Sequence, residues 1–145
     1  MNIKQALKRK NKLVGLISEE FSKAAKYNVI DEGNPRPYSA IESINKWMQL
    51  SEELVDLKVK IHTANAPMYR RIFMLAELKS QVKHLKAIDC TSGKVSNRWD
   101  SNEPTIKHAE LNIVERDKMI SGLEIMIESI QDELDQWNHN QIIED

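Results

Sequence analysis

The spacing of its apolar residues constrains this chain more than any other feature. Ile120, Leu123, Ile127, Ile130, Leu134 and Trp137 recur at alternating intervals of three and four residues, which holds one narrow apolar stripe on one face of a helix. Such a stripe packs lengthwise against another helix. It predicts architecture and carries no chemistry. Three further stretches read the same way. In the first, Ile3, Leu7, Val14, Ile17, Phe21 and Ala24 keep heptad spacing, Lys10 interrupts the stripe, and Ala6, Leu13, Leu16 and Ala25 widen it. The second carries Ala40, Ile44, Trp47, Leu50, Leu54, Leu57 and Ile61, with a slip near Trp47 that would overwind a coiled coil locally. The third carries Met68, Ile72, Leu75, Val82 and Leu85, with Leu78 and Ile88 beside the seam.

Breaks between these stretches are equally readable. Gly33, Pro35 and Pro37 cannot continue a helix. Ser39 with Glu42 three residues on reads as a capping box that starts the second helix. Pro67 suits the first turn of a third helix, marking either a tight reversal or a kink. From Asp89 to Pro104 the chain turns polar for 16 residues, a length at which connections are often functional. Val95 and Trp99 could anchor a short extended pair there. The sequence thus predicts an all-α protein of four long helices, at about 2–28, 39–62, 68–88 and 106–138. They would form an up-down antiparallel bundle or helical hairpins within a single domain spanning 1–145.

Composition agrees with that class. The chain has 145 residues, 41% hydrophobic and 30% charged, with four Gly and four Pro, which suits a helical soluble domain and not a disordered one. A formal net charge of -1 gives no bulk attraction to nucleic acid or to acidic membranes. Cys90 is the single cysteine, so no intrachain disulfide and no zinc framework is expected. No secretory signal opens the sequence and no apolar run approaches the ~20 residues of a bilayer span. A cytoplasmic location is the default expectation.

Charge is distributed unevenly along the chain. Residues 1–30 carry seven cationic and two acidic groups, whereas residues 119–145 carry seven acidic groups and no Lys or Arg. Both placements oppose the helix macrodipole, which favours acids at a helix start and bases at its end. Antiparallel packing of the first and last helices would relieve both, and so would the same pairing between chains.

Chemical motifs are sparse. His62, His84, His108 and His139 have no metal-type partner one turn away, and no His-x3-His, Cys-x-x-Cys, Gly-rich phosphate loop or nucleophile elbow occurs. No cofactor, metal site or catalytic residue is expected, although a site shared between chains would leave no local motif. Interaction candidates remain. Lys4, Lys8 and Lys12 line one helical face beside Arg9 and could grip phosphates, but no aromatic residue interleaves with them to stack bases. Trp47 and Trp137 fall on apolar stripes and read as core. Trp99, with Arg98 in the polar loop, reads as an exposed interaction element.

The opening Met1–Leu13, the loop residues Asn28, Val29, Glu32, Gly33 and Pro35, Glu53-Leu54 with Leu57, and Ile61 with Thr63 and Asn65 together resemble a family of small bacterial helical proteins of unknown function. Some members carry the label septicolysin. The segment after Asn65 is shorter than the family's, and Gln136-Trp137 mirrors its tryptophan-containing end only loosely. The resemblance implies a long helical hairpin or bundle and self-association, and it supplies no catalytic residues. The label suggests a membrane-lytic toxin, for which this sequence has neither signal nor span. The functional expectation is therefore a non-catalytic helical interaction or scaffold protein that forms a homo-oligomer. The alternative is a binder of nucleic acid or of an acidic partner through the basic first helix.

Overall fold

The first, second and fourth helices begin where a side chain satisfies one of their first amides. The computed structural model describes residues 1–97 and 100–144. Asn2 caps α1 (Ile3–Tyr27) with a full capping box: its Oδ1 accepts from the Gln5 amide at 2.8 Å, and Gln5 Oε1 accepts from the Asn2 amide at 3.0 Å. At the other end the Arg36 guanidinium donates to the carbonyls of Tyr27 and Asn28, a cation on the negative end of the helix. Gly33 takes the left-handed conformation (φ 84°) in the connecting turn, which its missing Cβ permits. Ser39 then caps α2 (Ala40–Ala64), its Oγ accepting from the Glu42 amide at 3.2 Å.

The chain divides into two compact units, one of residues 1–67 with the segment from Asp135 onward, the other of residues 68–134. In the first, α1 and α2 form an antiparallel hairpin. Its core joins Ile3, Ala6 and Leu13 of α1 to Leu57 and Ile61 of α2 and to Ile143, with Leu7, Leu50, Leu54, Ala64 and Trp137 packed around them. Farther along, the Phe21 and Trp47 rings meet edge to face at 5.5 Å. The heptad stripe expected on α1 is offset from the packing observed. Ala6, Leu13 and Glu20 turn inward beside Ile3 and Ala24, while Val14 and Phe21 stay half exposed.

A 3-10 turn at Ala66–Met68 containing Pro67 leads into the second unit. There α3 (Tyr69–Ala87) lies antiparallel to α4 (Ile113–Asn140), which carries the most regular stripe in the sequence. Leu78 and Val82 of α3 and Ile120 and Leu134 of α4 are buried. Arg71 pairs with Glu133 and Lys86 with Glu124 at 3.8 Å, one on each flank of the α4 stripe. Leu78, expected beside the seam of α3, lies inside it.

The extended pair expected in the polar loop exists as an antiparallel hairpin of β1 (Gly93–Asn97) and β2 (Asp100–Lys107), with Val95 opposite Thr105. Trp99 lies outside the described residues. The strand also corrects the start of the last helix, expected near 106 and observed at Ile113. Lys107 is paired to Gly93 in the ladder. Asn112 supplies the cap instead, accepting from the Glu115 amide on its side chain and the Arg116 amide on its carbonyl, each at 2.9 Å. Arg116 also donates to the Ile88 carbonyl at 3.2 Å, tying the end of α3 to the start of α4.

Candidate interaction surface

The two ends of the first unit are stitched by backbone. Ile3 N–H donates to the Gln141 carbonyl at 3.1 Å, Ile143 N–H to the Met1 carbonyl at 2.8 Å, and Asn2 pairs with Ile142 in an antiparallel bridge. The side-chain Nδ2 of Asn2 also donates to the His139 carbonyl at 3.0 Å. One side chain therefore caps the start of α1 and satisfies a carbonyl at the end of α4. The first helix and the end of the last are neighbours, and the two helix ends of opposite partial charge lie together.

Around this junction the charges are mixed. Lys4 and Leu7 share a cleft with Asp135, Gln136, Asn138 and His139. A second cleft of about 400 Å³ sets Arg9 and Lys60 among Glu53, Asp56 and Glu144. Arg9 is engaged by Glu53 across the hairpin. Of the cations expected to act together, Lys4, Lys8 and Lys12 are exposed along one face of α1, while Arg9 faces α2 instead. Arg98 lies outside the described residues. Such an interleaving of signs gives little net field for a polyanion.

Glu20 is the buried charge of the hairpin, and sequence periodicity did not single it out. Its carboxylate reaches Lys46 at 3.2 Å and Lys23 at 3.4 Å. The Lys46 ammonium, helped by Lys23, holds its pKa below the ordinary glutamate value despite burial. Asp89 is likewise lowered by the hydroxyl and amide of Thr91. His84 lies 3.2 Å from Ser80 Oγ, and the Cys90 thiol faces the Ile88 carbonyl at 3.7 Å. Among the described residues no group of three or more His, Cys, Asp or Glu is placed to hold a metal ion.

Apolar exposure is the more informative surface property. On α2, Ile41 is 73% exposed, Met48 57%, Val55 58% and Val59 59%. They recur at seven or four residues and form a second row, distinct from the Leu50–Leu54–Leu57–Ile61 row that faces α1. On α1, Val14 (51%) and Phe21 (53%) continue the row of half-buried Leu7. The sequence contains the signal for the second α2 row, since Ile41, Ile44, Met48, Ser51 and Val55 also alternate by three and four. Reading one stripe per helix hides it. Trp137 is half-buried against the core of the first unit and Trp47 is half-buried beside the Phe21 ring; the Trp137 indole N–H is enclosed without a hydrogen-bond partner.

No described helix is long and apolar enough to cross a membrane. No protein-family model matches the chain, and no curated protein or solved structure is significantly similar to it.

Proposed function

We propose that this chain is a non-catalytic helical interaction protein that works as a homo-oligomer. The observation that carries this reading is the row of large apolar side chains left on α2 at helical spacing. A lone exposed leucine or valine is ordinary, but aligned ones are the pattern of a helix that packs on two sides. The self-association implied by the resemblance to the small bacterial helical family agrees with it. The test is solution mass by light scattering on a sizing column at low and high salt. A discrete oligomer that persists at high salt is expected, because apolar packing is not screened. A monomer at both salts would end the proposal.

The alternative, binding of nucleic acid or an acidic partner, draws on the exposed face of Lys4, Lys8 and Lys12. Its mark would be affinity that falls steeply with salt and disappears when those three lysines become Gln. The acidic residues in the neighbouring clefts weigh against it.

A further inference from the structure

We infer that α1 has two faces able to pack on α2, and that the Glu20–Lys46 ion pair selects the one observed. With the pair broken, α1 turns about its own axis and buries Leu7, Val14 and Phe21 in place of Ala6, Leu13 and Glu20. This device lies within one chain and stands apart from self-association.

Its basis is the layout of α1. Ile3, Lys10, Ile17 and Ala24 repeat at seven residues and form a central row. Ala6, Leu13 and Glu20 follow the first three of these by three residues, and Leu7, Val14 and Phe21 follow them by four. At about 100° per residue the two sets flank the central row, one on each side. The observed seam uses the central row and the first set. Ile3, Ala6, Leu13, Glu20 and Ala24 are buried, whereas Val14 and Phe21 are about half exposed. Exchanging the flanks takes a turn of only about 50°, half the angle between neighbouring residues, with no slide along the axis. Ile3 belongs to either seam, so its bond to the Gln141 carbonyl is compatible with both. Phe21 already meets the Trp47 ring of α2 edge to face at 5.5 Å.

Apolar burial alone favours the other seam. It exchanges an alanine for a leucine and a carboxylate for a phenyl ring, against one leucine for a valine. Glu20 tips the balance back. It is 5% exposed, and the charged groups facing it are Lys23 of α1 at 3.4 Å and Lys46 of α2 at 3.2 Å. These ammonium groups keep its carboxylate ionised below the ordinary glutamate range. Removing one partner of a buried pair leaves a charge uncompensated, and turning α1 brings that charge out to water. Packed helices hold discrete arrangements, so the outcome is a change of seam and not a gradual loosening.

Thiol labelling tests this in a chain whose single cysteine is removed by Cys90→Ser, with circular dichroism confirming retained helix. At pH 7 Leu13→Cys is expected to react at least tenfold more slowly than Val14→Cys. Lys46→Glu, which sets a like charge against Glu20, is expected to reverse that order. Adding Glu20→Leu to Lys46→Glu is expected to restore it, because the first set is then wholly apolar. An order left unchanged by Lys46→Glu would overturn the inference. Two sites made equally reactive would overturn it too, since the pair would then only hold the hairpin shut. Protection of Val14→Cys that disappears on tenfold dilution would do the same, as a contact between chains. Where Lys46→Glu loses its helix, Glu20→Gln takes its place, with the same reversal expected and the same outcomes against it.

Discussion

Glu20 shows how one residue ties the hairpin to pH. A carboxyl whose pKa is lower folded than unfolded adds stability above its unfolded pKa and loses it as pH falls through the folded value. Glu20 is such a group. Thermal melts between pH 7 and pH 3 are therefore expected to show stability falling once pH drops below the ordinary glutamate range. Glu20→Gln should flatten that fall and cost stability at pH 7, where Lys46 and Lys23 lose their shared partner. Equal slopes in the two proteins would refute the assignment. Asp89 has the same sign, but its partner Thr91 is two residues away, so its share reports on the local turn and not on the hairpin.

At the level of elements, adjacent positions on α1 separate what periodicity predicts from what packing selects. Leu13 is buried and Val14 is half exposed, although Val14 belongs to the heptad stripe read from sequence. Leu13→Ala should cost about 2–5 kcal/mol, and Val14→Ala about 0.5 kcal/mol or less, in denaturant unfolding at dilutions where the chain is monomeric. Similar losses at both sites would mean the offset is wrong. The physical reason sequence misplaces the stripe is that α1 contains two overlapping three-four series sharing Ile3, Lys10, Ile17 and Ala24. One runs through Leu7, Val14 and Phe21, the other through Ala6, Leu13 and Glu20. The first is more apolar, and a pattern reading selects it. The structure takes the second because small Ala6 allows close approach and Lys46 on α2 neutralises Glu20. Helix number, the Ser39 start and the paired strands were legible because caps, prolines and polar runs are local. The start of α4 was not, since the pairing of Lys107 to Gly93 depends on a residue fourteen positions away. The interaction residues were half legible. The lysine face of α1 was visible as a charge run, whereas the outer row of α2 lay hidden behind the stripe that builds the core.

For the whole molecule, one helix takes part in both units: α4 supplies Ile120 and Leu134 to the second and Trp137 to the first. Its last turn is held by the first residues of the chain through Asn2 and Ile3. Chain ends are ordinarily where a protease finds its first loose stretch. Here both ends are tied into one bridge, so the vulnerable place moves inward, to the run from Asp31 to Tyr38, every residue of which is exposed. Limited digestion with a glutamate-specific protease should cut first at Glu32 and leave Met1 and Gln141 intact. The two pieces should stay together under native conditions, because the core of Ile3, Leu13, Leu57 and Ile61 spans the cut. A first cut inside residues 1–10 or 134–144 would show the bridge to be loose. If the bridge holds, the first unit is fastened where residues 1–3 meet residues 139–143, and it opens at the bend between α1 and α2.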